Sequence, residues 1–201
     1  MAAVEPLHLV GEDRCGEDLR DLDFTGAVFE RCELRHADLS GVRTSGAVFT
    51  ACDLAGVDLS ASVHDGTAFV NCRLEGARLS TARFVGCKLT GSELTATTLL
   101  GFEIDGGDWT YVNLRGTDLR RMRLAGLRLA HADLGGADLR GADLTGADLT
   151  GANVHGTRLR DAELTDARLD GVALADAELA GAVLDLGGAI RLAESLGAVV
   201  R

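Results

Sequence analysis

The sequence predicts an all-β solenoid, a four-sided coil of about 8.5 turns built from one five-residue unit and followed by a short C-terminal α-helix. Three observations carry that expectation. The stretch from Ala132 to Gly156, ADLGGADLRGADLTGADLTGANVHG, repeats A-(D/N)-L-x-G. With the Leu as centre, the same phase runs from Leu19 to Leu184 without an insertion, giving 34 consecutive units of which 32 have an apolar centre. Phe29, Phe49 and Phe69 lie 20 residues apart, as do Cys32, Cys52 and Cys72, and Trp109 falls on the phenylalanine series.

A period of five fits no continuous element. On an α-helix each step of five turns the apolar position by about 140°, so no stripe forms. In a straight strand an odd step flips each successive Leu to the other face. The chain must therefore turn a corner once per unit. The centre and the residue two before it face inward, whereas the residue between them and the two that follow face outward. Gly stands two after the centre in 19 of the 34 units, where a corner most needs a permissive backbone. Four units per turn stack like on like at 20 residues. A three-sided coil would stack at 15, which only the pairs Phe69/Phe84 and Cys72/Cys87 suggest.

The repeat resembles that of the pentapeptide repeat proteins over about residues 15 to 186, and this resemblance implies a right-handed quadrilateral β-helix. More narrowly, the segment Val57 to Leu74, VDLSASVHDGTAFVNCRL, with a His at a core centre, resembles the mycobacterial, gyrase-binding members associated with fluoroquinolone resistance. The tail after Leu184 shares that likeness. It implies a DNA-mimicking protein that binds DNA gyrase, a type II topoisomerase, and gives protection from fluoroquinolones or a related gyrase poison. It also implies a homodimer formed through the C-terminal end. The alternative is a non-catalytic scaffold for protein–protein interaction without a topoisomerase role. Some gyrase-protecting relatives carry loops that interrupt the coil, and this chain has none.

Taken in order, residues 1–14 are expected to form an N-terminal cap, with Val4, Leu7, Leu9 and Val10 in a short extended segment over the open end of the first coil. Residues 15–186 form the coil. Phe24 and Phe29 fill its axis. The polar centres Thr44 and His64 stand one turn apart and should stack on one wall, either as satisfied core groups or as a dent that a partner contacts. Phe102, Met122 and Leu127 occupy the small inward position, and Gly107 follows Phe102 on the next wall, where a missing side chain makes room for a large one. Trp109 should be core and Tyr111 should project outward. After Leu184 the period stops. Leu186, Ile190, Ala193 and Leu196 then fall at helical spacing, Asp185 is placed to cap, and Gly197 suits the end, which predicts a helix over 187–196. Residues 187–201 are assigned to capping and dimerisation, with Leu186, Ile190, Ala193, Leu196 and Val199 as the dimerisation contacts.

The formal charge of -11 is spread evenly along the chain. It argues against direct nucleic-acid binding and for cationic partners, including proteins that themselves bind DNA. The residues before each centre, sorted by steps of 20, put acids in stripes on two adjacent walls. Asp18, Asp38, Asp58, Asp118 and Asp138 mark one, and Glu33, Asp53, Glu93 and Asp133 the other; these are the candidate partner-binding residues. As periodic, exposed carboxylates they are expected to have unshifted acidities. No phosphate-binding loop, metal spacing or nucleophile constellation stands out, so neither an enzyme nor a cofactor is expected. No signal segment or membrane-spanning run is evident. Five Cys without a C-x-x-C pair fit the reducing cytosol, and the inward Cys32, Cys52, Cys72 and Cys87 are expected as small core filler.

Overall fold

A computed structural model describes residues 6–201, which form two compact units, the first ending at Gly107 and the second running from Asp108 to Arg201. Val4, assigned to the cap, lies outside the described residues. Each unit is a four-sided β-helix, the fold class that the repeat predicts.

The first unit holds eight three-residue strands: β1 (His8–Val10), β2 (Val28–Glu30), β3 (Arg43–Ser45), β4 (Val48–Thr50), β5 (Val63–Asp65), β6 (Ala68–Val70), β7 (Arg83–Val85) and β8 (Glu103–Asp105). They form two parallel sheets on adjacent walls, ordered β1-β2-β4-β6 and β3-β5-β7-β8. Every pairing steps by 20 residues, so Phe29 lies beside Phe49 and Phe49 beside Phe69, while Thr44 lies beside His64 and His64 beside Phe84. The other two walls are joined by single bridges, such as Glu33 to Asp53 and Asp38 to Asp58. A step of 20 with four walls excludes the three-sided coil. Leu9 of β1 is already in register with Phe29, so stacking starts earlier than the first Leu19-phase unit. Counted from His8, the unit has five rungs, at 8, 28, 48, 68 and 88, and the coil count departs slightly from 8.5 for that reason.

The corners explain the five-residue word. Of the 34 positions two after a centre, nineteen glycines and twelve other residues adopt positive φ. Glycine does this without steric cost, whereas an L-residue pays about 1 kcal/mol or more. Most corners close when the next unit's first N–H donates back to the centre's carbonyl, as Ala37 does to Leu34 at 3.1 Å. At several centres inside strands the carbonyl accepts a side-chain donor from the next turn. Cys52 donates to Phe29, Cys72 to Phe49, Cys87 to His64 and Ser92 to Phe69, at 2.9 to 3.4 Å. The inward cysteines are thus buried donors, which is more than the small filler expected of them.

Phenylalanines fill the first unit's axis. The rings of Phe29 and Phe49 stack at 4.6 Å and those of Phe49 and Phe69 at 4.9 Å, and Phe102 meets Phe84 edge-on at 5.1 Å. Gly107 has a different reason from the one its sequence neighbours suggest. A Cβ there would meet the main-chain oxygen of Cys87 at 2.2 Å, so the missing side chain makes room for backbone and not for the Phe102 ring.

The second unit is built on the same register by bridges alone, at 108, 128, 148 and 168 on one wall and at 118, 138, 158 and 178 on another. Trp109 is buried and Tyr111, 60% exposed, projects outward, where its ring stacks on His131 at 4.9 Å. After a short 3-10 turn (Leu174–Asp176) comes the helix α1 (Leu186–Ser195). It starts one residue before the predicted 187 because Asp185 caps it, accepting the Gly188 N–H at 2.7 Å. Gly197 follows with φ of 88°. The helix folds back on the last turn. Arg191 pairs with Asp170 at 2.5 Å, the Ala175 N–H donates to the Ser195 hydroxyl at 3.1 Å, and Gly188 packs against Leu169 and Leu184.

Candidate partner-binding surface

The alternation of each unit places all nine candidate acids on outer faces, in two columns per unit. In the first unit Asp18, Asp38 and Asp58 are successive rungs, continued by Arg78 and Thr98. The next wall carries Glu33, Asp53, Arg73 and Glu93. In the second unit Asp118 and Asp138 lead into Arg158 and Glu178, and Asp133 stands between Asn113 and Asn153.

These acids are not bare. Arg20, two residues on, grips Asp18 through Nε at 2.8 Å and Nη2 at 2.6 Å, and lies 3.4 Å from Asp38. Arg78, one turn on, reaches Asp58 at 2.7 Å. Glu33 pairs with Arg35 at 2.9 Å, and Asp53 lies between Arg35 and Arg73 at 3.5 and 3.1 Å. Glu93 accepts the Thr95 hydroxyl at 3.4 Å. In the second unit Arg120 grips Asp118 at 2.8 and 2.5 Å, Arg140 grips Asp138 at 2.8 and 2.7 Å, and Arg158 adds a further contact to Asp138 at 3.5 Å. Asp133 has Arg115 at 3.3 Å and the Asn153 amide at 2.9 Å.

For Asp18, Asp118 and Asp138 the expectation of unshifted carboxylates is therefore corrected. Hydrogen bonds from Arg20 hold Asp18 at about 2. Those from Arg120 and Arg140 hold Asp118 and Asp138 below the usual carboxylate range. The cause is local: the side chain after the centre emerges on the same wall as the one before it, so the motif D-L-R forms its own two-pronged ion pair.

Pairing also redistributes the stripes. On the first unit's wall Glu17, Asp18, Asp21, Asp38 and Asp58 outnumber Arg20 and Arg78, so the face stays acidic. On the second unit's wall that carries Asp118 and Asp138, those two acids with Asp161 and Glu178 share the surface with Arg120, Arg121, Arg140, Arg158 and Arg160, and no acidic excess remains. Two acids that the sequence placed on a mixed wall, Asp143 and Glu163, are neighbours in the ladder and form no ion pair among the described residues. Including the residue after each centre in the column sort would have revealed both effects.

The C-terminal residues divide by direction. Leu186, Leu196 and Val199 are 78%, 70% and 81% exposed, whereas Ile190 and Ala193 are half-buried. The polar centres Thr44 and His64 are fully enclosed, with no dent at the wall. Among the described residues no group of three or more His, Cys, Asp or Glu could hold a metal ion, and no helix is long and apolar enough to cross a membrane.

A family model described as pentapeptide repeats matches in eight copies, over residues 18–51, 65–99, 108–141 and 123–161. Among solved structures, a trypsin-treated variant of QnrB1, described as a plasmid-mediated fluoroquinolone resistance protein, matches 98% of this chain with 98% of its own. The identity is 22% and the TM-score 0.84. A second trypsin-treated QnrB1 variant gives 22% identity and a TM-score of 0.68 over 98% of both chains. Full-length QnrB1 gives 21% and 0.67 over 96% of this chain and 98% of its own. At such identity the likeness is one of fold. No curated protein sequence matches the chain.

Proposed function

The chain belongs to the pentapeptide repeat family, and we propose that it acts by shape and charge without catalysis, binding DNA gyrase in place of DNA and modulating it so that a fluoroquinolone or related poison loses effect. The supporting observation is the acidic wall of the first unit, where Asp18, Asp38 and Asp58 recur once per turn on a fold shared along nearly its whole length with a fluoroquinolone resistance protein. A turn rises about 4.8 Å, a distance over which duplex DNA carries about three charges. One Asp per turn on the wall is thus a dilute imitation. Electrostatics would steer the encounter with a basic DNA-binding saddle, and shape would have to supply much of the affinity.

Gyrase supercoiling and drug-induced cleavage, titrated with the protein, test this. Changing Asp38 and Asp58 together to Asn should weaken the effect by about tenfold. Changing Asp118 and Asp138 together to Asn should weaken it less, because the arginines of their wall leave it no acidic excess, whereas the wall of Asp38 and Asp58 stays acidic. Equal losses would remove the assignment to the first unit, and no effect of the unaltered protein at tens of micromolar would remove the topoisomerase role. The latter outcome leaves the scaffold reading, which the mixed Asp–Arg surface of the second unit favours.

The reading includes a homodimer through the C-terminal end, supported by the exposed Leu186, Leu196 and Val199. Replacing Leu196 and Val199 with Asp should convert a dimer to a monomer in analytical ultracentrifugation while leaving the circular dichroism spectrum unchanged. A monomeric unaltered protein would refute this part alone.

A further inference from the structure

Of the 34 centres from Leu19 to Leu184, His64 is the only one able to carry a charge. It is fully enclosed in the first unit, against the ring edges of Phe69 at 5.5 Å and Phe84 at 4.6 Å. Both ring nitrogens are engaged, and the proton positions around them follow from one fixed end. The Ser62 hydroxyl lies 2.6 Å from the Leu59 carbonyl, which can only accept, so its hydrogen points there. Ser62 Oγ must then accept from His64 Nε2–H at 2.9 Å. With the proton on Nε2, Nδ1 is an acceptor and takes the Thr44 hydroxyl hydrogen at 2.8 Å. Thr44, having donated, accepts from Thr67 at 2.5 Å. The chain runs one way: Thr67 to Thr44 to His64 to Ser62 to the Leu59 carbonyl.

We propose that His64, Thr44, Thr67 and Ser62 form an acid-released latch between successive turns of the first unit, closed while the imidazole is neutral and opened by one proton taken from solvent. This goes beyond the proposed function and does not depend on it. A proton arriving at Nδ1 meets the Thr44 hydrogen head-on. Thr44 would have to turn and donate to Thr67, and Thr67 would need a new acceptor; the Ser62 end gives no relief, since Nε2 already donates.

Among the described residues no charge compensates the imidazolium. The ionisable side chains on β5 and the two strands beside it, Arg43 of β3, Asp65 of β5 and Arg83 of β7, alternate to the exposed face, as do Glu103 and Asp105 of β8. The Cys87 thiol, a further ionisable neighbour, donates to the His64 carbonyl at 3.3 Å, and burial pushes it up to about 11. Burial lowers His64 from 6.5 to about 3. The unfolded chain therefore takes up this proton first: the stabilisation is complete above about 6.5 and is lost as pH falls from there toward 3.

The test has two arms. Long-range proton–nitrogen NMR of the unaltered protein should show His64 with its proton on Nε2 and no titration between pH 7.5 and 4.5. Urea unfolding over the same range should show a gain in the unfolding constant approaching tenfold per pH unit below about 6.5, in excess of that for His64→Phe, which places a ring like that of Phe84, its neighbour on β7. A proton on Nδ1, a titration near 6.5 with the fold intact, or equal pH slopes for the two proteins would overturn the proposal. If His64→Phe does not fold, the NMR arm decides alone.

Discussion

Replacing Phe49 with Ala is expected to destabilise the protein by about 3–5 kcal/mol, the range for deleting a fully buried ring. Phe49 is the middle of a three-ring stack, with neighbours at 4.6 and 4.9 Å, so its removal costs two stacking contacts as well as buried area. The site has little freedom to collapse, because the turns above and below are held at strand spacing by main-chain hydrogen bonds, among them the Val48 N–H to Ala27 and the Ala68 N–H to Ala47 carbonyls at 2.8 Å. Phe49→Leu should cost less, since Leu is the usual centre of the repeat. Guanidinium denaturation midpoints of the three proteins check this, and an alanine variant as stable as the leucine one would show that the column relaxes.

Adjacent glycines should respond very differently to the same substitution. Gly106 has φ of 64°, and an added Cβ would have nothing within 4 Å, so Gly106→Ala should cost about 1 kcal/mol of backbone strain. Gly107 has φ of 120°, and its Cβ would lie 2.2 Å from the Cys87 carbonyl oxygen. Backbone cannot swing aside as a side chain can. Gly107→Ala should therefore cost about 3 kcal/mol or more, through strain and main-chain displacement together. Similar thermal unfolding curves for the two variants would contradict the close approach.

The coil was legible because its information is repetitive. Phe at 29, 49 and 69 announced the 20-residue register, and an Asp before an apolar run announced the cap of α1. What escaped were features that a column of single residues cannot show. Arg14, polar and out of pattern, hid the fact that Leu9 shares the phase of Leu19 and that stacking begins at β1. The division between strand walls and bridged walls goes with the donor that reaches the carbonyls of Phe29, Phe49 and Phe69; Cys52, Cys72 and Ser92, each twenty-three residues on, were the available signal. The acidic columns were found, but their charge was overestimated because Arg20, Arg120 and Arg140 sit on the far side of the centre in sequence and the same side of the wall in space. Gly107 could not be understood from Phe102, since its neighbour in space is the carbonyl of Cys87.

The 20-residue register also governs which changes of length the chain can absorb. Inside a turn, one inserted residue rotates every later side chain in that unit by one place, sending centres to solvent and corner residues into the axis. Five residues restore the inward pattern but move each later unit to the next wall, so that Phe69 would no longer stand over Phe49. Removing twenty, such as residues 40–59, leaves all columns aligned and brings Phe69 directly onto Phe29. A gene for such a coil therefore grows and shrinks by whole turns, while tolerated extras are confined to excursions that leave and re-enter at one corner.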